Sequence, residues 1–205
     1  MLELISKIFS QKNMNRAFSQ FGNMSIKWFF IITFIGLLIM AFVILIRIKV
    51  LNKSVEPINI LAGACQIIYL AIMLQLTWFC RESGSRIGIK LQPFKDLMGQ
   101  ESDFHWLMIA YAILNVALFV PYGVAISLYS WILEEKVYMK IIWTILIGFL
   151  TSLIIEVVQL ITETGYFEIE DIICNVFGGV IGVCLFIPFN EIIKKAALKK
   201  NKNSE

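Results

Sequence analysis

Residues 28–46 read WFFIITFIGLLIMAFVILI, a run of 19 residues without a charged side chain. A helix needs about 20 predominantly apolar residues to cross the hydrocarbon core of a bilayer, so this run is long enough to span one. Four further apolar runs follow along the chain: Pro57–Cys80, Trp106–Leu133, Ile141–Thr162 and Ile172–Asn190. The pattern predicts an all-α fold, a polytopic integral membrane helical bundle with about five transmembrane helices.

The composition excludes several classes of function. Hydrophobic residues make up 59% of the chain and charged residues only 16%, against about 25% charged in soluble domains. A net charge of +3 is too small for a nucleic-acid-binding surface. The four cysteines form no C-x-x-C pair, and the one histidine, His105, lies far from them in the sequence. We therefore expect no nucleic-acid partner, no metal site and no cofactor.

The third apolar run is longer than one membrane crossing requires. As a single straight helix it would measure about 42 Å, whereas the hydrocarbon core is about 30 Å thick. We expect it to tilt, to extend into the headgroup region, or to bend at Pro121.

Lysine and arginine in short loops set the orientation of membrane helices, since these residues favour the cytoplasmic side. The acidic loop 163–171 contains none, whereas the tail 191–205 contains five lysines. We therefore expect a multi-pass protein of the bacterial plasma membrane with a cytoplasmic C-terminus and an extracellular 163–171 loop. Five crossings then place the N-terminus outside.

Polar side chains inside the apolar runs are candidates for function. Glu156 is the only charged residue well inside a predicted span, where an ionisable group costs about 2.5–3.5 kcal/mol. Ser152, Glu156 and Gln159 share one helical stripe. By helical rise, Glu156, Asn115 and Asn175 lie about 9, 14 and 5 Å from the outer ends of their helices. The overlapping depths predict an outward-facing polar site, although hydrogen bonding between helices alone is the simpler alternative.

Two loops contribute further candidates. Asp171 begins the fifth run, where it either caps the helix or serves as a cation-binding or proton-handling carboxylate. Arg86 belongs to a group of basic residues in the 81–103 loop, and arginine suits phosphate or carboxylate. These basic side chains either anchor the loop to lipid phosphate or contact an anionic ligand.

Several segments together resemble the VanZ-like family over roughly residues 81–187. The segment 91–94, LQPF, is similar to the family's N-L-x-P-F, with Lys90 in place of asparagine. The segment 115–123, NVALFVPYG, is similar to N-x-x-x-F-x-P-x-G, and residues 152–159 resemble S-x-x-x-E-x-x-Q. Residues 170–182 resemble D-D-x-x-x-N-x-x-G-x-x-x-G, whose glycines allow close helix contact. Two departures stand out: Gly165 and Tyr166 lie where the family often has arginine, and Glu168 and Glu170 replace aspartates.

The resemblance implies a four-helix membrane core and a link to teicoplanin resistance. We accordingly divide the chain into residues 1–56, an N-terminal amphipathic segment with an extra transmembrane helix, residues 57–190, the four-helix VanZ-like core, and residues 191–205, a basic cytoplasmic tail. The ligand-binding candidates are Asn115, Glu156, Gln159, Asp171, Asn175 and Arg86.

Three functions are compatible with these features. The first is a cell-envelope protein that lowers sensitivity to teicoplanin-type glycopeptides by engaging a lipid-linked or lipid-like ligand, with membrane lipid, a lipid-linked cell-wall molecule or the glycopeptide as partner. The second is an intramembrane enzyme that modifies an envelope lipid, with Glu156 and Asp171 as acid and base. The third is a small transporter, which the lack of an internal repeat disfavours.

Overall fold

The computed structural model describes residues 2–12, 15, 24–81, 83–84, 87–95 and 103–202. Within these ranges, five helices are long and apolar enough to cross a membrane. They cover Ile26–Lys49, Pro57–Phe79, Phe104–Ser127, Val137–Ile161 and Ile169–Asn190. The prediction of an all-α polytopic membrane bundle is confirmed.

The helices are labelled here in chain order: α1 (Leu2–Ile8), α2 (Ile26–Lys49), α3 (Pro57–Leu74), α4 (Asp103–Ser127), α5 (Ser130–Leu133), α6 (Val137–Ile161) and α7 (Ile169–Lys202). Helix α3 begins with Pro57 in its first turn, where the missing N–H of proline costs nothing. It continues into a π-helical turn, Gln75–Phe79. Such turns are frequent at functional sites.

The third apolar run is divided between two helices, an arrangement that was not among the three expected from the sequence. Helix α4 is continuous through Pro121 and ends at Ser127, and the short helix α5 begins at Ser130. The Asn59 side chain joins α3 to this break: its Oδ1 accepts the Ser130 N–H at 2.9 Å, and its Nδ2 donates to Ser130 Oγ at 2.9 Å. In an uninterrupted helix the Ser130 N–H would instead donate to the carbonyl of Ile126. Part of the extra length is therefore accommodated by a break in the helix after Ser127.

Helices α4 and α7 pack with their backbones in direct contact. A Cβ atom on Gly178 would lie 2.9 Å from the carbonyl carbon of Val116, and one on Gly123 would lie 2.9 Å from the Cα of Gly179. Only glycine permits such an approach. Phe119, on the same face of α4, is fully buried. This contact fixes the relative height of the polar residues on the two helices.

Helix α2 lies at the periphery, and none of its residues is buried. It packs on α3 and on the π-helical turn: Gly36 lies against Ile67 of α3, and the Trp28 ring stacks on Phe79 of the turn with centroids 5.6 Å apart. Most of its apolar surface thus stays outside the bundle.

Two short parallel strands join the loops at one end of the bundle. Strand β1 (Ile89–Lys90) pairs with β2 (Phe167–Glu168), with Ile89 opposite Phe167. Nearby, the Gly84 N–H donates to the carbonyl of Glu163 at 2.9 Å. The strands, absent from the all-α prediction, pair because the backbone groups of these non-helical segments need hydrogen-bond partners. We call this end of the molecule the strand end.

Candidate functional site

Glu156 lies on α6, close to the strand end, and is only 2% exposed. Its Oε2 accepts the backbone N–H of Glu168 at 2.9 Å. A buried carboxyl group without partners would be costly, and this bond satisfies part of its capacity. The same bond attaches β2 to α6, so Glu156 positions the loop that precedes α7.

The neighbouring residues of the α6 stripe tie it to two other helices. Ser152 Oγ accepts the Asn175 amide at 2.9 Å, which links α6 to α7. The Gln159 amide donates to the carbonyl of Thr77 at 2.8 Å, which links α6 to the π-helical turn. The bonds used by Asn175 and Gln159 are therefore helix–helix bonds, as the simpler alternative proposed. Among the described residues, Asn175 Oδ1 and Gln159 Oε1 are nevertheless buried without a hydrogen-bond partner.

Carboxyl groups from two helices meet an amide from a third. Asn115 on α4 hydrogen-bonds Asp171 at the start of α7. Asp171 in turn interacts electrostatically with Glu156 on α6, and Arg81 interacts with both carboxyl groups. The structure thus brings Asn115, Glu156 and Asp171 into one cluster at the strand end. Asn175 lies beside it through its bond to Ser152.

Arg81 reaches this cluster through space left by a glycine. A Cβ atom on Gly165 would lie 2.9 Å from Arg81 Nη1 and 3.0 Å from Gln159 Oε1. Gly165 is one of the two residues found where the family pattern led us to expect arginine. In this chain a guanidinium next to that position comes from Arg81 instead. Arg86, the basic candidate chosen from the sequence, lies outside the described residues.

A polar cavity of about 430 Å³ opens beside the cluster. Its charged lining comes from both loops and from the start of α7, and consists of Arg81, Lys90, Glu168, Glu170 and Asp171. Tyr111 and Asn115 line it from α4. We call this space the polar cavity. It contains Asn115 and Asp171 from the sequence-based candidates, whereas Glu156, Gln159 and Asn175 lie outside its lining.

Contacts between the loops hold the walls of the polar cavity in place. Lys90 Nζ forms an ion pair with Glu168 at 2.9 Å and lies 4.8 Å from the centre of the Tyr166 ring. Glu170 Oε2 accepts the backbone N–H of Phe94 at 3.0 Å. The LQPF segment is therefore connected to the acidic segment by a direct hydrogen bond.

A second, more apolar space of about 330 Å³ runs between α3 and α4. We call it the groove. Its apolar wall includes Ile72, Leu76, Leu114, Ala117 and Leu118, and Ala117 is exposed on the outside of the bundle. Arg81, Tyr111 and Asn115 line both the groove and the polar cavity. The polar cavity and the groove thus meet at three shared side chains.

Several residues that line the polar cavity were not among the ligand-binding candidates chosen from the sequence. They are Arg81, Lys90, Tyr111, Glu168 and Glu170. Tyr111 precedes Asn115 by four residues and so shares its helix face, a signal that could have identified it. Arg81 directly follows an apolar run, and as one of the basic residues of the 81–103 loop it was interpreted either as a lipid-phosphate anchor or as a contact to an anionic ligand. Lys90 and Glu168 meet through strand pairing, for which two residues of extended chain give no recognisable pattern.

Comparison with known proteins identifies a family. The family described as VanZ/LLP1 matches residues 66–194, a range that includes all described residues lining the polar cavity and the groove. Neither a curated protein nor a solved structure matches the chain.

Proposed function

The chain belongs to the VanZ/LLP1 family, and we propose that it is a cell-envelope protein that lowers sensitivity to teicoplanin-type glycopeptides. In this proposal it acts by binding a lipid-linked or lipid-like ligand at the strand end. Family membership supports the link to glycopeptides, and the geometry of the two cavities supports the lipid-like ligand.

One observation carries the proposal for the ligand: the polar cavity and the groove share Arg81, Tyr111 and Asn115. A molecule with a polar head and an apolar chain can occupy both spaces at once. The head would replace water against charged side chains, while the chain would lie between α3 and α4. Because Ala117 is exposed at the groove, the chain can enter sideways from the membrane.

The orientation belongs to the same proposal. We place the protein in the bacterial plasma membrane with the strand end outside and the tail 191–205 in the cytoplasm. The 163–171 loop without lysine or arginine and the five lysines of the tail support this direction, since basic residues favour the cytoplasmic side. The site would then face the leaflet in which cell-wall intermediates are used.

Drug susceptibility of a sensitive Gram-positive host tests the proposal. The host carries empty vector, wild type or Glu156→Gln at equal membrane expression, and growth thresholds for teicoplanin and vancomycin are measured. Wild type should raise the teicoplanin threshold selectively, and Glu156→Gln should return it to the vector value. Glutamine still offers an oxygen to the Glu168 N–H, so the variant tests the carboxyl group that interacts with Arg81 and Asp171 more than the position of the side chain.

Glu135→Gln is the matched control, because Glu135 is an exposed carboxylate in the loop before α6, outside both cavities. It should behave as wild type. If wild type leaves both thresholds at the vector value, the glycopeptide proposal is wrong. If Glu135→Gln loses the effect together with Glu156→Gln, the phenotype does not report on the site.

A second candidate function is an intramembrane enzyme that modifies an envelope lipid. The electrostatic interaction between Glu156 and Asp171 favours it, since two carboxyl groups in one site can divide acid and base roles. Purified wild type incubated with an envelope-lipid extract should then form a product that Glu156→Gln does not form. Absence of any wild-type turnover would exclude this candidate and leave the binding proposal intact.

A further inference from the structure

The groove has a closed inner end. Tyr69 and Leu118 line the groove, and both also pack against a buried hydrophobic cluster that includes Met73, Phe119 and Tyr122. Tyr69 Oη donates to the carbonyl of Leu118 at 2.5 Å, which joins α3 to α4 at this point. These two side chains therefore separate the groove from the buried cluster.

The opposite end of the groove lies at the polar cavity. Helix α3 leads into the π-helical turn and β1, and α4 begins after them, so α3 runs toward the strand end and α4 runs away from it. Tyr111 and Asn115, near the start of α4, line both spaces. Leu118 lies further along α4 and Tyr69 earlier on α3, so both lie deeper in the bundle than the polar cavity.

The length of the groove follows from its lining residues. On α4 it runs from Tyr111 to Leu118, seven residues along the helix, and on α3 it runs the same interval from Leu76 to Tyr69. At about 1.5 Å per residue, this interval is about 10 Å. A hydrocarbon chain with bonds of about 1.52 Å and angles of about 111° advances about 1.25 Å per carbon. The groove is therefore about eight carbons deep.

The groove is also open along one side. Ala117 lines it and is exposed on the outside of the bundle. Since Ala117 directly precedes Leu118, the open side reaches the inner end of the groove. A chain longer than the groove can thus continue into the apolar interior of the membrane at Ala117 without entering water, which would cost free energy.

We propose that Tyr69 determines how far a lipid chain enters the protein: about eight carbons lie in the groove, the chain meets the Tyr69 ring, and the remainder leaves beside Ala117. This inference rests on the lipid-binding function proposed above. It adds the residue that limits the depth of the chain.

Photocrosslinking with lipids labelled along the chain measures this depth. The purified full chain is reconstituted into liposomes that contain a phosphatidylglycerol with a diazirine on one acyl chain, at about carbon 3, 8 or 12. We call these lipids the proximal, middle and distal probes. After illumination, the crosslinked residue is identified by peptide mass spectrometry. In wild type the middle probe should label Tyr69 or Leu118, and the distal probe should label neither Phe119 nor Tyr122, which lie behind them.

Two substitutions at position 69 test the role of the ring. Tyr69→Ala opens the inner end of the groove, so the distal probe should now label Phe119 or Tyr122. Tyr69→Phe is the matched control: it loses the hydrogen bond to Leu118 but keeps the ring, and it should give the wild-type pattern. If Tyr69→Ala leaves the pattern unchanged, or if wild type is already labelled at Phe119 or Tyr122, Tyr69 does not limit the depth and the inference is wrong.

A second pair of variants keeps the test decisive if Tyr69→Ala does not fold. Leu114→Trp fills the groove between Tyr111 and its inner end, so the middle probe should no longer label Tyr69. Ile113→Trp adds the same bulk at an exposed position outside the groove and should keep the label. Labelling of Tyr69 that survives Leu114→Trp would mean that the chain reaches this residue by another route, which would overturn the inference.

The proximal probe separates this inference from the proposed function. If it labels Leu114 while the middle probe labels neither Tyr69 nor Leu118, a lipid binds in the groove but the depth assigned to its chain is wrong. If none of the three probes labels a residue that lines the groove, the proposed lipid-binding function fails together with the inference.

Discussion

Replacing Gly178 by alanine places a methyl group where α4 and α7 are already in backbone contact. The new Cβ would lie 2.9 Å from the carbonyl carbon of Val116 and 3.0 Å from the Cβ of Phe119. Non-bonded carbon atoms prefer separations of about 3.5–4.0 Å, so the shortfall is about 0.5–1.1 Å. The backbone cannot rotate away as a flexible side chain would, and the two helices must therefore separate.

The cost of this separation follows from comparison with a second glycine. Overpacking of this kind costs about 1–3 kcal/mol. Alanine also stabilises a helix by about 0.5–1 kcal/mol relative to glycine, which would mask part of the effect. Gly148→Ala gives the same gain without the clash, because nothing lies within 4 Å of a Cβ built on Gly148 in α6. The difference between the variants isolates the overpacking cost of about 1–3 kcal/mol, a factor of about 5–150 in the unfolding equilibrium.

Reversible unfolding in mixed micelles, by titration of dodecyl sulfate into a mild detergent, measures this difference. Loss of helical circular dichroism reports the transition for both variants under identical conditions. Gly178→Ala should unfold at lower dodecyl sulfate than Gly148→Ala. If the two variants agree within about 0.5 kcal/mol, which is the usual effect of a neutral substitution, the close contact between α4 and α7 does not exist.

The same perturbation affects the site. Asn115 lies on α4 and its hydrogen-bond partner Asp171 on α7, so separating the helices at Gly178 lengthens the bond between them. Gly178→Ala should accordingly retain less added phospholipid than wild type when the purified protein in detergent is measured by native mass spectrometry, and Gly148→Ala should retain as much as wild type. Normal lipid binding by a clearly destabilised Gly178→Ala would show that the site does not depend on this helix contact.

Three further predictions concern single contacts and the orientation. Ser152→Ala leaves the buried amide of Asn175 without its acceptor and should lower stability by about 1–3 kcal/mol in the same titration; no change would mean that the amide is satisfied otherwise. Lys90→Gln removes a partly exposed ion pair and should cost no more than about 1 kcal/mol, so a larger loss would reveal a structural role. For the orientation, single cysteines are placed at position 163 or in the tail 191–205 of a cysteine-free variant, and intact cells are treated with a membrane-impermeant maleimide. The cysteine at position 163 should be labelled and the one in the tail should not; the reverse result would mean that the topology is inverted.

Much of the fold could be predicted because membrane insertion depends on local composition. The run at residues 28–46 was identified by its length and lack of charge alone, and it lies within α2. The boundary of α4 could not be found in this way, because residues 128–133 are as apolar as those before them. The helix ends at Ser127 because Asn59, from another helix, hydrogen-bonds Ser130.

The candidate site was only partly predictable. The spacing of Ser152, Glu156 and Gln159 placed them correctly on one stripe, since a helix repeats every 3.6 residues. Their individual partners were not predictable: Gln159 bonds a backbone carbonyl of the π-helical turn, and Glu156 bonds the backbone of β2. Arg81 appeared in the sequence only as one of several basic loop residues, and its contact with the acidic cluster depends on the space above Gly165.

The sequence by itself therefore determined the number of membrane helices, the stripe of polar residues and the family, because hydropathy, helical periodicity and motif spacing are all properties of neighbouring residues. Only the tertiary structure decided that Asp171 meets Asn115 and Glu156, that Lys90 pairs with Glu168, and that the polar cavity joins the groove. These contacts depend on how far each helix is rotated and how close the glycines of α4 and α7 allow two backbones to come, which no single segment of the chain specifies.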